Sequence, residues 1–294
     1  MPRESVMLRA ARRIFPPEEL RYIYKSIDII GDIAIIKVAR RHEAYAQQLA
    51  EALLEELKGR VKVVYRQAAP TKGYERVKIL EWLAGERRSI TIYREHGCSF
   101  KVDVEKVFFS PRLQYERLRI ARLVKKEAPL KGGEVVVNMF SGVGTFSIII
   151  AKHAPKVVVY SIDASPHAYN LMVENIKLNG VEGRVIPILG DAAKVVKEKL
   201  MKAADRVLMP LPELALKYLD YAVEAIRGRG WIHYYDHCEG RRREDSIELA
   251  KKKVSEKLSN LGVDFRIVEG RVVRSVGRCL YQVVLDVEVL KTCK

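Results

Sequence analysis

Gly142-Val143-Gly144, Asp163 and Asp191 are the residues whose types and spacing first suggest chemistry. The two glycines interrupt Asn138-Met139-Phe140-Ser141, directly after the β-branched run Val135-Val136-Val137. Such a run fills a buried parallel strand, and glycines let a backbone pass close under a ligand. Asp163 lies 21 residues beyond Gly142, at the end of a second apolar run. A carboxylate there can accept hydrogen bonds from both hydroxyls of a ribose. Asp191 follows a third run and could meet an adenine amino group. The dinucleotide fingerprint needs a third glycine, and Ser147 stands in its place, which speaks against a pyrophosphate cradle.

The elements that must position these residues can be read around them. Residues 145–152 read as a helix, 156–162 and 184–189 as strands, 193–203 as a helix, and 205–209 as a fourth strand ending at Pro210-Leu211-Pro212. Residues 213–227 read as a helix capped by Gly228-Arg229-Gly230, 231–235 as a strand, and 247–261 as a basic amphipathic helix. Strands at 265–269 and 281–290 close the sheet. The first third reads as a separate α+β domain. It has a short helix at 18–24, a hairpin at 27–38 turning on Gly31-Asp32, and a helix at 44–57. A strand follows at 61–65, then a loop at 71–76, a strand at 77–83, and a hairpin at 90–104 turning on Glu95-His96-Gly97. The expected division is a basic arm over 1–16, an α+β domain with linking helix over 17–126, and an α/β domain over 127–294.

At 294 residues and 48% hydrophobic content the chain can bury a sizeable core. No apolar run is long enough to span a membrane, and the start shows no signal-peptide profile, so a cytoplasmic protein is expected. Cys98, Cys238, Cys279 and Cys293 are widely spaced, so reduced thiols and no metal site are expected. The net charge of +16, from 53 basic and 37 acidic residues, favours a polyanionic partner over a balanced thermophile surface.

Together, the three strand ends resemble the S-adenosylmethionine site of class I methyltransferases. Further stretches extend the likeness: Phe109-Ser110-Pro111-Arg112-Leu113-Gln114-Tyr115-Glu116-Arg117, Asn175-Ile176-Lys177-Leu178-Asn179, Asp205-Arg206-Val207-Leu208-Met209 and Ile232-His233-Tyr234-Tyr235. In this order they resemble the archaeal and eukaryotic tRNA (guanine-37 N1)-methyltransferase family, sister to the wybutosine-pathway aminocarboxypropyltransferases. The resemblance implies a class I, Rossmann-like methyltransferase domain preceded by a smaller α+β domain. It also implies S-adenosylmethionine as cofactor and the anticodon stem-loop of tRNA as partner.

Residue by residue, the resemblance gives Asp163 the cofactor ribose and Asp191 its adenine. Phe140, Gly142 and Gly144 would line the methionine arm, with Phe109 and Arg112 also on the cofactor side. Glu116 falls on the family's general base with Arg117 beside it, and Arg76 on the arginine that contacts the guanine O6. Phe108, Pro210, Leu211 and Pro212 fall on the target-base pocket. Each has a plainer structural reading: Glu116 and Arg117 as a helix surface pair, the phenylalanines as core, Arg76 as a phosphate contact, and His233 as a satisfied core histidine.

The implied chemistry suits these residue types. Guanine N1 is a poor nucleophile until it loses its proton, which a carboxylate made basic by burial can take. Charge then building on O6 would be stabilised by a guanidinium. Two departures bear on the substrate. Where the family ends its fourth strand in Asn-Leu-Pro, this chain has Pro210, which offers neither an amide side chain nor an N–H. The segment before Phe15 is also too short for the family's extra N-terminal domain. Aminocarboxypropyl transfer to a wyosine precursor, and a catalytically impaired tRNA-binding paralogue, are the alternatives to methyl transfer. The helix at 247–261 and the arm before Phe15 are the expected RNA-backbone contacts.

Overall fold

The computed structural model describes residues 4–69 and 78–292, which fall into two compact units, Met1–Arg112 and Leu113–Lys294. In the first unit, helix α1 (Val6–Arg12) precedes strands β1 (Asp28–Ile30) and β2 (Ile33–Ile36), helix α2 (Ala46–Leu57), and strands β3 (Val63–Ala69) and β4 (Ile79–Gly85). The four strands form one sheet in the order β1-β2-β3-β4, parallel between β2 and β3 and antiparallel elsewhere. Strands β5 (Ile90–Glu95) and β6 (Cys98–Asp103) form a separate hairpin. Its turn has the left-handed backbone of His96 and Gly97, as a two-residue hairpin requires.

Met7, Ala10 and Ala11 of α1 are fully buried against Leu49 and Leu53 of α2, with Ile36, Val64 and Leu83 from the sheet. The N-terminal segment is therefore part of a core, where the sequence suggests a basic arm. Its arginines occupy the outer side of α1 while its small and apolar residues recur at helical spacing on the inner side. Gly31 (φ +58°) turns β1 into β2 under the hairpin. A Cβ there would stand 2.2 Å from Thr91 Oγ1 and 2.6 Å from the Ile92 carbonyl oxygen. Only glycine allows that approach.

The second unit opens with α3 (Gln114–Glu127), then alternates β7 (Glu134–Asn138), α4 (Thr145–His153), β8 (Val157–Asp163), α5 (Pro166–Leu178), β9 (Val185–Leu189), α6 (Ala192–Val195), β10 (Ala204–Met209), α7 (Pro212–Ala225), β11 (Ile226–Glu239), α8 (Arg243–Asn260), β12 (Asp264–Gly277) and β13 (Leu280–Lys291). The seven strands are ordered β12-β13-β11-β10-β7-β8-β9, and only β13 runs against its neighbours. Pro187 lies in β9, an edge strand, where its missing N–H costs no ladder bond. Helices α6 to α8 cover one face through an apolar layer that includes Val137, Met209, Leu219, Val254 and Leu285. The sequence places the boundary after the linking helix. That helix, α3, packs on α4 and is counted with the second unit.

Three local expectations differ from the structure. Residues 193–203 are not one helix, since α6 passes into a π-turn at Val196–Leu200. Gly228 and Gly230 do not cap α7 but lie inside β11. A Cβ on Gly230 would stand 2.4 Å from the Asp205 carbonyl oxygen, so the glycine serves the close approach of β11 to β10. Strand β12 continues eight residues past 269, to Gly277. It is a half-exposed edge with four register shifts, and its polar stretch hides the strand period. Among the described residues, no helix is long and apolar enough to cross a membrane.

Candidate functional site

The sheet order reverses between β7 and β10, and the carboxyl ends of the inner strands converge there. Backbone bonds tie the glycine turn to both neighbours: Met139 N–H donates to the Leu208 carbonyl (3.0 Å) and Ser141 N–H to that of Ile162 (2.9 Å). Gly190 N–H donates to the Asp163 carbonyl (3.0 Å), joining the third strand end. The turn is held from below by side chains. Asn138 donates to Ser147 Oγ (3.1 Å), and Asn175 of α5 donates to the Val143 carbonyl (3.1 Å). The Asn175-to-Asn179 stretch thus has a physical role, which is to support the glycine turn.

Asp163 accepts from Gly142 N–H at 2.6 Å and from Ser165 N–H at 3.0 Å, one on each carboxylate oxygen. The carboxylate is half-buried at the strand end, and a carboxylate is an acceptor-only group of the kind that ribose hydroxyls can donate to. Gly142 has φ +55°, and an added Cβ would find no atom within 4 Å, so the turn faces open space. Gly144 (φ +88°) is different, because its Cβ would press on Met172 and Ile148 at 3.0 and 3.1 Å. Asp191 caps α6 by accepting from Ala193 and Lys194 N–H, and its other oxygen accepts from Tyr218 Oη at 2.5 Å. Tyr218 meets Phe140 edge to face at 5.3 Å. The residues present fit a nucleoside, with carboxylates for polar edges and aromatic rings beside them. Sequence reading did not single out Tyr218, since a tyrosine on an amphipathic helix carries no signal of its own.

A second constellation lies under α3, on the sheet face opposite α6 to α8. Glu116 is buried and accepts from Tyr235 Oη (2.7 Å) and Arg119 (Nη2, 2.7 Å), and it contacts Arg271 of β12. Arg119 also donates to Asp286 of β13, which receives His233 Nδ1–H at 2.5 Å. The other nitrogen of His233 accepts from Arg206 Nη1 at 2.5 Å, and Arg206 is paired with Glu134 (2.5 Å) and Glu127 (2.8 Å). An ionic chain therefore crosses the sheet from β7 to β12. Burial pushes the Tyr235 phenol above its usual range, which keeps it a donor to Glu116. Burial would raise Asp286, but His233 and Arg119 outweigh it and hold the carboxyl well below its usual range. Burial lowers His233, against the pull of Asp286.

His233 is thus a core histidine with both ring nitrogens partnered. Arg119 could have been found in the sequence at one helical turn from Glu116. Asp286 and Arg271 could not, since they come from strands more than 150 positions away. Arg117 is buried beside Glu116 on α3. Pro210 ends β10, and Pro212 opens α7 as its first residue. Phe108, Phe109 and Arg112 belong to the first unit. There Phe109 is buried edge to face against Tyr93 (4.9 Å), and Arg112 pairs with Asp28 (2.8 Å). Arg76 lies outside the described residues. Among the described residues, no group of three or more His, Cys, Asp or Glu side chains is placed to hold a metal ion.

The reversed seventh strand, the switch point and the carboxylate-tipped strand ends define a class I, Rossmann-like methyltransferase fold. Residues 91–263 match the TRM5/TYW2 methyltransferase domain and residues 8–88 the TYW2 N-terminal domain, so the chain belongs to the TRM5/TYW2 methyltransferase family. It is 38% identical over 275 residues to the tRNA (guanine(37)-N(1))-methyltransferase Trm5b of Pyrococcus abyssi, covering 93% of this chain and 78% of the relative. The crystal structure of wild-type Trm5b from that organism has a TM-score of 0.81 at 36% identity, covering 94% of this chain and 78% of that one. The tRNA 4-demethylwyosine(37)-methyltransferase Taw21 of Saccharolobus solfataricus is 39% identical over 267 residues, covering 90% of this chain and 94% of its own. The tRNA(Phe) (4-demethylwyosine(37)-C(7)) aminocarboxypropyltransferase of Pyrococcus horikoshii is 30% identical over 278 residues, with 94% of each chain covered.

Proposed function

We propose that this protein transfers a methyl group from S-adenosylmethionine to the guanine, at N1, or to a guanine-derived base at position 37 of tRNA. The observation that supports the reading is the convergence of Gly142, Asp163 and Asp191 at the strand ends, in the same unit as the buried carboxylate of Glu116. Asp163 would hold the ribose, Asp191 with Tyr218 the adenine edge, and Phe140 and the glycine turn the methionine arm. S-adenosylmethionine, when bound, supplies a sulfonium methyl as electrophile. Glu116 would accept the proton of the target nitrogen, with Arg117 adjoining it. Arg76 would steady the charge that develops on the base oxygen. For Glu116 to accept a proton, one of its present donors must release it. Arg271 contacts it from the half-exposed edge strand β12. Such an enzyme would act in the cytoplasm.

A second reading, aminocarboxypropyl transfer from the same cofactor, draws on the match of residues 8–88 to the TYW2 N-terminal domain. Pro210 supports it too, because it removes the amide that would read guanine. The test is incubation with unmodified tRNA and with 4-demethylwyosine tRNA, using cofactor labelled separately on the methyl and aminocarboxypropyl carbons. Methyl label in the position-37 nucleoside is expected. Aminocarboxypropyl label overturns the first reading in favour of the second. Cofactor and tRNA binding with no label in either nucleoside leaves an impaired tRNA-binding paralogue.

A further inference from the structure

The surplus positive charge must meet RNA somewhere, and the two surfaces that the sequence offers are largely neutralised. On α1 and at its C-cap, Arg9, Arg12 and Arg13 pair with Glu56, Glu4 and Glu55 at 2.9, 3.0 and 2.5 Å. On α8, Lys251, Lys253 and Lys257 pair with Glu248, Asp236 and Asp220 at 2.8, 3.1 and 2.6 Å, and Lys252 lies 3.9 Å from Glu256. Cations already matched by carboxylates add little to the attraction of a phosphate.

The first unit has a different kind of surface. A groove of about 780 Å³ runs between the β1–β2 turn and the β5–β6 hairpin, and Arg60, Arg88, Arg94 and Lys101 line it. Asp32 is the one carboxylate among its described lining residues, and it is already engaged. It accepts Arg88 Nη1 and Nη2 at 3.0 and 2.5 Å and Thr91 Oγ1 at 2.7 Å. The Arg88 hydrogen bond, against a smaller opposing effect of burial, lowers the Asp32 carboxyl and keeps that match closed. Arg60 and Arg94 are exposed and make no ion pair among the described residues. The field left in the groove is positive.

We infer that this groove is a binding track for the sugar-phosphate backbone of the tRNA substrate, with Arg60 and Arg94 as its phosphate contacts. The inference rests on the tRNA-modifying reading above. The walls are fixed before binding: Asp32 clamps Arg88 and Thr91 together, and Gly31 seats the turn against Thr91 and Ile92. Little ordering entropy is then left to lose on binding. Ile90 and Ile92 remain 44% and 37% exposed beside the cations. An apolar rim of this kind suits ribose and base faces flanking a phosphate better than it suits a free small anion.

The experiment measures affinity for full-length transcribed tRNA by fluorescence anisotropy between 50 and 200 mM salt. It compares the wild type, the double variant Arg60→Ala/Arg94→Ala, Arg94→Lys, and Lys252→Ala on α8 as control. The double variant is expected to bind about tenfold more weakly, with its log K versus log salt slope reduced by about 1.5, at 0.7–0.9 per phosphate contact. Arg94→Lys keeps the charge and should keep most of the slope, and Lys252→Ala should resemble the wild type. The melting temperature should be unchanged, since both arginines are exposed. Wild-type affinity and slope in the double variant overturn the groove, whatever the wild type does to tRNA. If the double variant binds more weakly but the wild type transfers no group, the groove stands and the proposed function falls. Absence of salt-dependent tRNA binding by the wild type overturns both.

Discussion

His233 donates its Nδ1–H to Asp286 Oδ1 over 2.5 Å from directly opposed positions of β11 and β13, while its Nε2 accepts from Arg206. A ring that accepts from a guanidinium must be neutral. Burial, which lowers its affinity for protons despite Asp286, agrees with this. Unfolding returns the histidine to its ordinary range near 6.5, so below that pH the unfolded chain binds more protons than the folded one. Stability should be fully present above pH 6.5 and fall as the pH is lowered, by at most about 1.4 kcal/mol per unit from this group. Asp286, held low, adds its own loss only below the ordinary carboxylate range. Denaturant titrations between pH 5 and 7.5 should show this slope in the wild type and lack it in His233→Gln. A His233→Gln profile parallel to the wild type would mean that the histidine titrates alike folded and unfolded.

Arg206 is fully buried with Glu134, and Glu127 completes its fork. Removing one member of such a set leaves an uncompensated charge out of water. Arg206→Met is expected to destabilise the second unit by about 3–5 kcal/mol, read from urea midpoints. Adding Glu134→Gln should restore part of that loss. If the double variant is no more stable than the single, the two side chains are not coupled as their 2.5 Å contact implies.

Gly142 and Gly144 share a left-handed backbone but face different surroundings. Alanine at either position costs about 1–2 kcal/mol of backbone strain. At 144 the new methyl also presses on Met172 and Ile148, so Gly144→Ala should lose more melting temperature. At 142 the methyl enters open space above the turn, so Gly142→Ala should instead lose most of its affinity for S-adenosylhomocysteine. Calorimetric titration checks this: unchanged affinity in Gly142→Ala would remove the turn from the nucleoside site.

The parts of this fold that are legible in the sequence are those where one local pattern serves one purpose. Val135 to Val137, the glycine turn, and the strand ends at Asp163 and Asp191 fall where they are expected, because buried parallel strands read as β-branched runs that stop at polar residues. Gly228 and Gly230 mislead because a glycine serves a helix cap and a close strand crossing equally well. The β12 extension is hidden because an exposed edge strand needs no apolar alternation. Glu116 is legible as a residue. Its partners Tyr235 and Arg271, and Asp286, which is linked to it through Arg119, are brought there only by sheet order, which no local spacing encodes.

Glu116 is the residue on which the proposed chemistry turns, and its surroundings make the prediction specific. Tyr235, Arg119 and Arg271 all address its carboxylate, and Arg119 is also anchored on Asp286. Glu116→Gln keeps the shape and an acceptor oxygen but cannot take a proton. If the group acts as a base, turnover should fall by about 10²–10⁴ while the affinities for cofactor and tRNA stay near wild type. Asp286→Asn, which loosens Arg119 and His233 without touching the proposed base, should lower turnover less and shift its pH dependence, since it changes how Glu116 is held and leaves its carboxylate in place. Single-turnover methyl transfer across pH 6–9 separates these effects. If Glu116→Gln retains wild-type turnover, or loses tRNA affinity in step with it, then the carboxylate is a structural clasp for α3 and another group removes the proton.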